Sequence, residues 1–134
     1  MAETKTVLVN DGGAPARIIN FTAAAAISAG NVLKIDSNAK VAKATTGLSP
    51  IAGVAMVDAA SGDLCSVITG SGIIVRALTT GTDATGSELM VDTSGTAGQL
   101  DDLASYSDGT AESKPVAIAL ETCNANGLTK VLLL

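Results

Sequence analysis

The chain aligns with itself. Moved along by 56 positions, Arg17–Asp36 brings Ile18 onto Ile74, Ile19 onto Val75, Gly30 onto Gly86, Leu33 onto Leu89, Ile35 onto Val91 and Asp36 onto Asp92. Further along the offset is 64: Val54 meets Ile118, Ala55 meets Ala119, Met56 meets Leu120, Leu64 meets Leu128, Val67 meets Val131 and Ile68 meets Leu132. Apolar positions and a turn glycine recur together, so one supersecondary unit is expected twice. The change of offset falls in the polar stretch Leu100–Lys114, read as a long loop with no counterpart in the first copy. This gives a single β domain over 17–134, with pseudo-repeats of about 17–69 and 73–134, preceded by an N-terminal arm, 1–16.

The segment Pro50–Leu78 shows what the unit is made of. Its apolar runs Ile51–Val57, Leu64–Thr69 and Ile73–Leu78 are separated by Asp58–Asp63 and Gly70–Gly72. Short runs rich in Val and Ile, bounded by Gly, Ser and Asp, read as successive antiparallel strands. The first two are nearly continuous in apolar residues, so both of their faces should be covered. Earlier, Thr6–Val9 and Arg17–Thr22 are strand candidates, and Asn31–Asp36 and Ala39–Lys43 flank a hairpin turn placed at Ser37-Asn38. Ala23–Ala26 is too short a helix-favouring run to nucleate a helix and reads as a single turn or a loop. The fold expected is all-β: a small β-barrel or β-tulip-like domain from an internal duplication, with the arm attached.

The repeat also suggests faces. Val54, Met56, Ile118 and Leu120 are large and alternate with Gly53, Ala55, Ala117 and Ala119, which are small. Alternation at period two sends the two sets to opposite faces. The large set is expected to fill the interior, and the small set to let a neighbouring sheet or a partner subunit approach closely. A duplicated sheet that closes on itself also hides its edges.

Composition removes several classes of function. With 134 residues the chain can bury a core without metals or disulfides. Apolar residues make up 47% but aromatic residues 1%, so that core must be built from Val, Ile, Leu and Ala. Histidine is absent, and with it the commonest general base and metal ligand. A net charge of −5 with scattered Lys and Arg argues against a nucleic-acid partner. Met1–Asn10 lacks the pattern of a signal peptide, and no apolar run approaches the length of a membrane helix, so no membrane partner is expected. Cys65 and Cys123 are too few for a disulfide framework and read as buried small residues, not bonded to each other, in a protein made in the cytoplasm.

The candidate chemistries are weak. Asp101, Asp102, Asp108 and Glu112 crowd into Leu100–Lys114, and carboxylates suit calcium, but their spacing does not fit an EF-hand and a solvated loop explains them. The glycines of Gly70–Gly72 and Gly81–Gly86 are not a phosphate loop, because no Gly-Lys pair occurs in the chain. Without histidine a serine nucleophile would need lysine, and the adjacent pair Ser113-Lys114 makes no site. No catalytic, cofactor-binding or metal-binding residue is assigned, and the chain is not expected to be an enzyme. The arm is more interesting. Thr6-Val7-Leu8-Val9, tethered through Gly12-Gly13, can add a strand to the sheet edge of another chain, or pair with its own barrel.

The segments AISAGNVLKID, IAGVAMVDAASGDLCSVITGSGIIVRAL and SKPVAIALET, running into LTKVLLL, resemble in order and spacing the small head decoration, or capsid cement, proteins of tailed phages. The loop Leu100–Lys114 departs from that pattern. The resemblance implies a structural virion protein on the capsid exterior, commonly a homotrimer, that binds the major capsid protein of the assembled, expanded head and stabilises its lattice. Thr6–Val9 would then be a capsid-binding arm, and Gly53, Ala55, Ala117 and Ala119 a close-contact face between subunits. A small non-enzymatic β-barrel binding module, on a cell surface or in another assembly, is the alternative.

Overall fold

A computed structural model of the chain describes residues 7, 16–45, 51–92, 97–102 and 115–134. The strands are β1 (Arg17–Ala23), β2 (Val32–Ser37), β3 (Lys40–Lys43), β4 (Ile51–Ala55), β5 (Leu64–Thr69), β6 (Ile74–Thr79), β7 (Glu88–Val91), β8 (Leu100–Asp102), β9 (Ala117–Ala119) and β10 (Gly127–Leu133). They close into two five-stranded barrels, in the order β1-β3-β2-β4-β5 and β6-β8-β7-β9-β10. The fold is all-β, with no helix among the described residues. Ala23–Ala26 passes from the end of β1 into a loop.

The barrels are copies at the level of individual hydrogen bonds. β1 pairs β3 in parallel and β6 pairs β8 in parallel; every other pairing between these strands is antiparallel. The two offsets carry one set of pairs onto the other: Phe21↔Cys65 onto Ala77↔Thr129, Val32↔Val54 onto Glu88↔Ile118, Val54↔Ile68 onto Ile118↔Leu132. Turns outside the strands follow too. Gly30 N–H donates to the Ala55 carbonyl at 2.8 Å, and its counterpart Gly86 donates to Ala119 at 2.7 Å. Both glycines hold a left-handed backbone, at φ of 90° and 89°, which only glycine adopts without cost.

Two details differ from expectation. The hairpin turn is Asn38-Ala39, one residue later than Ser37-Asn38, and both residues have positive φ, as a tight type I′ turn requires. The change of offset is also divided. Val91 pairs Leu100 where Ile35 pairs Val41, so three extra residues lie between β7 and β8 and the other five between β8 and β9. Leu100–Asp102 is therefore strand; residues 103–114 lie outside the described residues.

The β7–β8 insertion bears on how the barrels meet. Gly98 N–H donates to the Ala44 carbonyl at 2.8 Å, and the Gly98 carbonyl accepts from Val32 N–H at 2.8 Å. A second tie runs from Leu78 N–H to the Gly30 carbonyl at 2.9 Å. Around these ties one apolar cluster takes in Val32, Val54 and Ile68 from the first barrel and Ile73, Val75, Leu89, Val91 and Val131 from the second. The first barrel keeps a smaller interior of its own, with Leu33, Val41, Ala55, Cys65 and Val67.

Candidate functional site

The small-residue set lies inside the barrels. Gly53 and Ala55 sit on β4, Ala117 and Ala119 on β9, and the three alanines are at most 1% exposed. The expected faces are thus reversed: the small residues point inward, and the large set turns outward. Of the latter, Val54 is buried between the barrels, Met56 and Ile118 are half-buried, and Leu120 is exposed. A five-stranded barrel is too narrow for large side chains from every strand, so β4 and β9 give up volume to Leu33 and Val67 in one barrel and Leu89 and Val131 in the other. A methyl group at Gly53 would run into the Ile68 carbonyl and stand 2.7 Å from Val67 Cγ1. The close approach expected of these residues is therefore between strands of one barrel, not at a subunit surface.

Of the arm, Val7 is described; Thr6, Leu8 and Val9 lie outside the described residues. Val7 is 4% exposed, belongs to the cluster around Val75 and Val91, and accepts a hydrogen bond from Arg76 N–H at 2.7 Å. It thus seats against β6 of its own chain.

Polar groups are sparse and mostly structural. Thr79 and Thr129, both fully buried, join their hydroxyls at 2.8 Å, and Thr129 Oγ1 accepts from Asn124 N–H at 2.8 Å. Asn31, 2% exposed, accepts from Ser28 N–H through Oδ1 and donates from Nδ2 to the Gly98 carbonyl at 3.3 Å. Asp83 is less settled: its Oδ2 is buried without a partner among the described residues. Burial first, then the Asp102 and Asp101 carboxylates, push its carboxyl above the usual aspartate range. Of the acidic residues noted from sequence, Asp101 and Asp102 lie on β8, while Asp108 and Glu112 lie outside the described residues. Cys65 and Cys123 are free and buried in different barrels, and burial pushes both thiols up, which keeps them protonated and slow to react.

A cleft of about 240 Å³ opens between the barrels beside Val32, Gly53, Leu100, Val116 and Leu133. Among the described residues its lining is apolar apart from the Thr69 hydroxyl, with no acidic or basic side chain. Surface apolar residues are the remaining feature: Ile18, Ile19, Ile35 and Leu64 on the first barrel are 43–67% exposed. Sequence reasoning did not single them out, because only what covers the second barrel, the first barrel and Val7, distinguishes them from Ile74, Val75, Val91 and Leu128.

No protein-family model and no curated protein sequence matches the chain. Among solved structures, it is similar in fold to the N base of head fiber gp8.5 of bacteriophage phi29, with a TM-score of 0.67 and 16% identity, over 90% of this chain and 95% of that one.

Proposed function

We propose that this protein is a structural component of a tailed-phage virion that attaches, as trimers, to the outside of the expanded head and stabilises the major capsid protein lattice. The observation that carries the reading is the fold shared, over nine-tenths of the chain, with the base of a phage head fiber. The order of short motifs resembling head decoration proteins points the same way. So does the chemistry: closed barrels, a cleft with no acidic or basic side chain among the described residues and two buried thiols suit a part that binds and does not react. A ligand that binds the assembled lattice and not free subunits makes disassembly harder by RT ln(1 + [L]/Kd) per site.

The test is co-sedimentation of the purified protein with expanded tailed-phage heads built from a major capsid protein. Saturable binding to expanded heads, density over threefold positions and a higher temperature of head disruption are expected. Failure to bind expanded heads would remove the reading.

A further inference from the structure

The contact between the two barrels is head-to-tail. The first barrel contributes the Gly30 turn with Val32, Val54 and Ile68; the second receives it on Ile73, Val75, Leu78, Val91 and Leu128. A methyl group on Gly30 would strike Leu128 Cδ2 and lie 3.3 Å from Leu78 Cγ. Because the barrels are copies, each surface occurs twice, and each is used once. The second barrel carries the inserting surface again, as Gly86, Glu88, Ile118 and Leu132. Gly86 and Glu88 are exposed, Ile118 and Leu132 are half-buried, and a methyl on Gly86 would meet nothing within 4 Å. The first barrel carries the receiving surface again, as Arg17, Ile19, Thr22, Ile35 and Leu64. There Ile19 is 43%, Ile35 50% and Leu64 67% exposed, where Val75 and Val91, which Val7 also covers, are fully buried.

We propose that a second copy of this chain occupies each unused surface: the Gly86–Ile118–Leu132 face of one copy docks on the Ile19–Ile35–Leu64 face of the next. The contact inside the chain shows that such faces fit, down to the glycine turn. Where the faces differ, they differ in a complementary way. Arg17 stands at the place of buried Ile73 on the receiving side and Glu88 at the place of buried Val32 on the inserting side, so two members of one apolar cluster give way to opposite charges, suited to a surface that must be soluble until it is covered. A head-to-tail contact closes into a ring if its rotation divides a circle and otherwise runs on as a filament. The proposal supplies a contact for the self-association in the functional reading, yet it rests on the repeat and not on head binding.

The experiment is sedimentation of the full chain, without heads, up to about 1 mM. Wild type is expected to self-associate with concentration. Leu64→Glu and Ile118→Glu are each expected to weaken association by tenfold or more at an unchanged melting temperature. Each disables a different face, so their equimolar mixture should form a one-to-one pair and nothing larger. The exposed charges give a second set: Arg17→Glu and Glu88→Arg should each weaken association, and both in one chain should restore it. A wild type that stays monomeric throughout, single variants that associate like wild type, or a mixture that does not pair would overturn the proposal. Head binding, read separately by co-sedimentation, fails or succeeds independently of these outcomes.

Discussion

The first barrel and the second share every strand pairing but fill the frame differently. At the interior positions where the first has Ala23 and Cys65, the second has the bonded hydroxyls of Thr79 and Thr129. Where the first buries Ile27, the second places the carboxyl of Asp83. Where the first bends β4 at Gly53, with a register shift against β2, the second has Ala117. Over β6 the second barrel has Val7, while β1 of the first leaves Ile19 open. Topology is thus tolerant of what fills it, because the strand pattern depends on which positions are apolar or turn-forming. Volume and polarity are settled locally, against neighbours that differ between the copies.

Exchanging residues between counterpart positions tests how far that tolerance reaches. The largest effect is expected at Gly53. Its φ of 154° lies where side chains are strained, and an added methyl meets the Ile68 carbonyl and Val67, so Gly53→Ala should cost roughly 3 kcal/mol or more. The reverse change at its counterpart, Ala117→Gly, should cost about 1 kcal/mol. Urea unfolding of both variants compares them; equal losses would mean that the bulge in β4 does not depend on glycine.

Next is Val7, which distinguishes the barrels by covering the second alone. Val7→Ala should lower stability by about 2 kcal/mol, for the methyl groups removed from the cluster around Val75 and Val91. Deleting residues 1–10 should then lower the melting temperature, whereas an arm that reached only for another protein would leave it nearly unchanged. Calorimetry on the substitution and the deletion decides between the two.

The smallest effect concerns Asp83. A carboxyl held above its ordinary range binds a proton more tightly in the folded chain than in the unfolded one. Stability therefore falls as pH rises from the ordinary aspartate range through the raised value, and stays lower above it. Asp83→Asn should flatten that fall and leave the protein slightly more stable at neutral pH, modestly because Asp83 is only partly buried. Unfolding curves at several pH values show it; an unchanged slope would place the carboxyl in ordinary contact with water.

The repeat was legible because Val, Ile and Leu recur at strand spacing with Gly30 and Gly86 at the same turn, and a left-handed turn and an apolar strand face each demand particular residues. Those local demands determined an all-β chain, its doubling, and the alignment of Cys65 with Thr129 and of Cys123 with Ala59. Alternation on β4 and β9 separated two sets of residues but could not say which set points inward. That depended on the radius of a closed five-stranded barrel, where Ala55 and Ala119 fit and Met56 and Leu120 do not. Nor could sequence distinguish Ile19 from Val75, which stand at the same place in the same unit. One is exposed and the other buried because the second barrel alone is covered, by Val7 and by the first barrel packed on it head to tail, and a contact of that kind uses each face once within the chain and leaves one of each over.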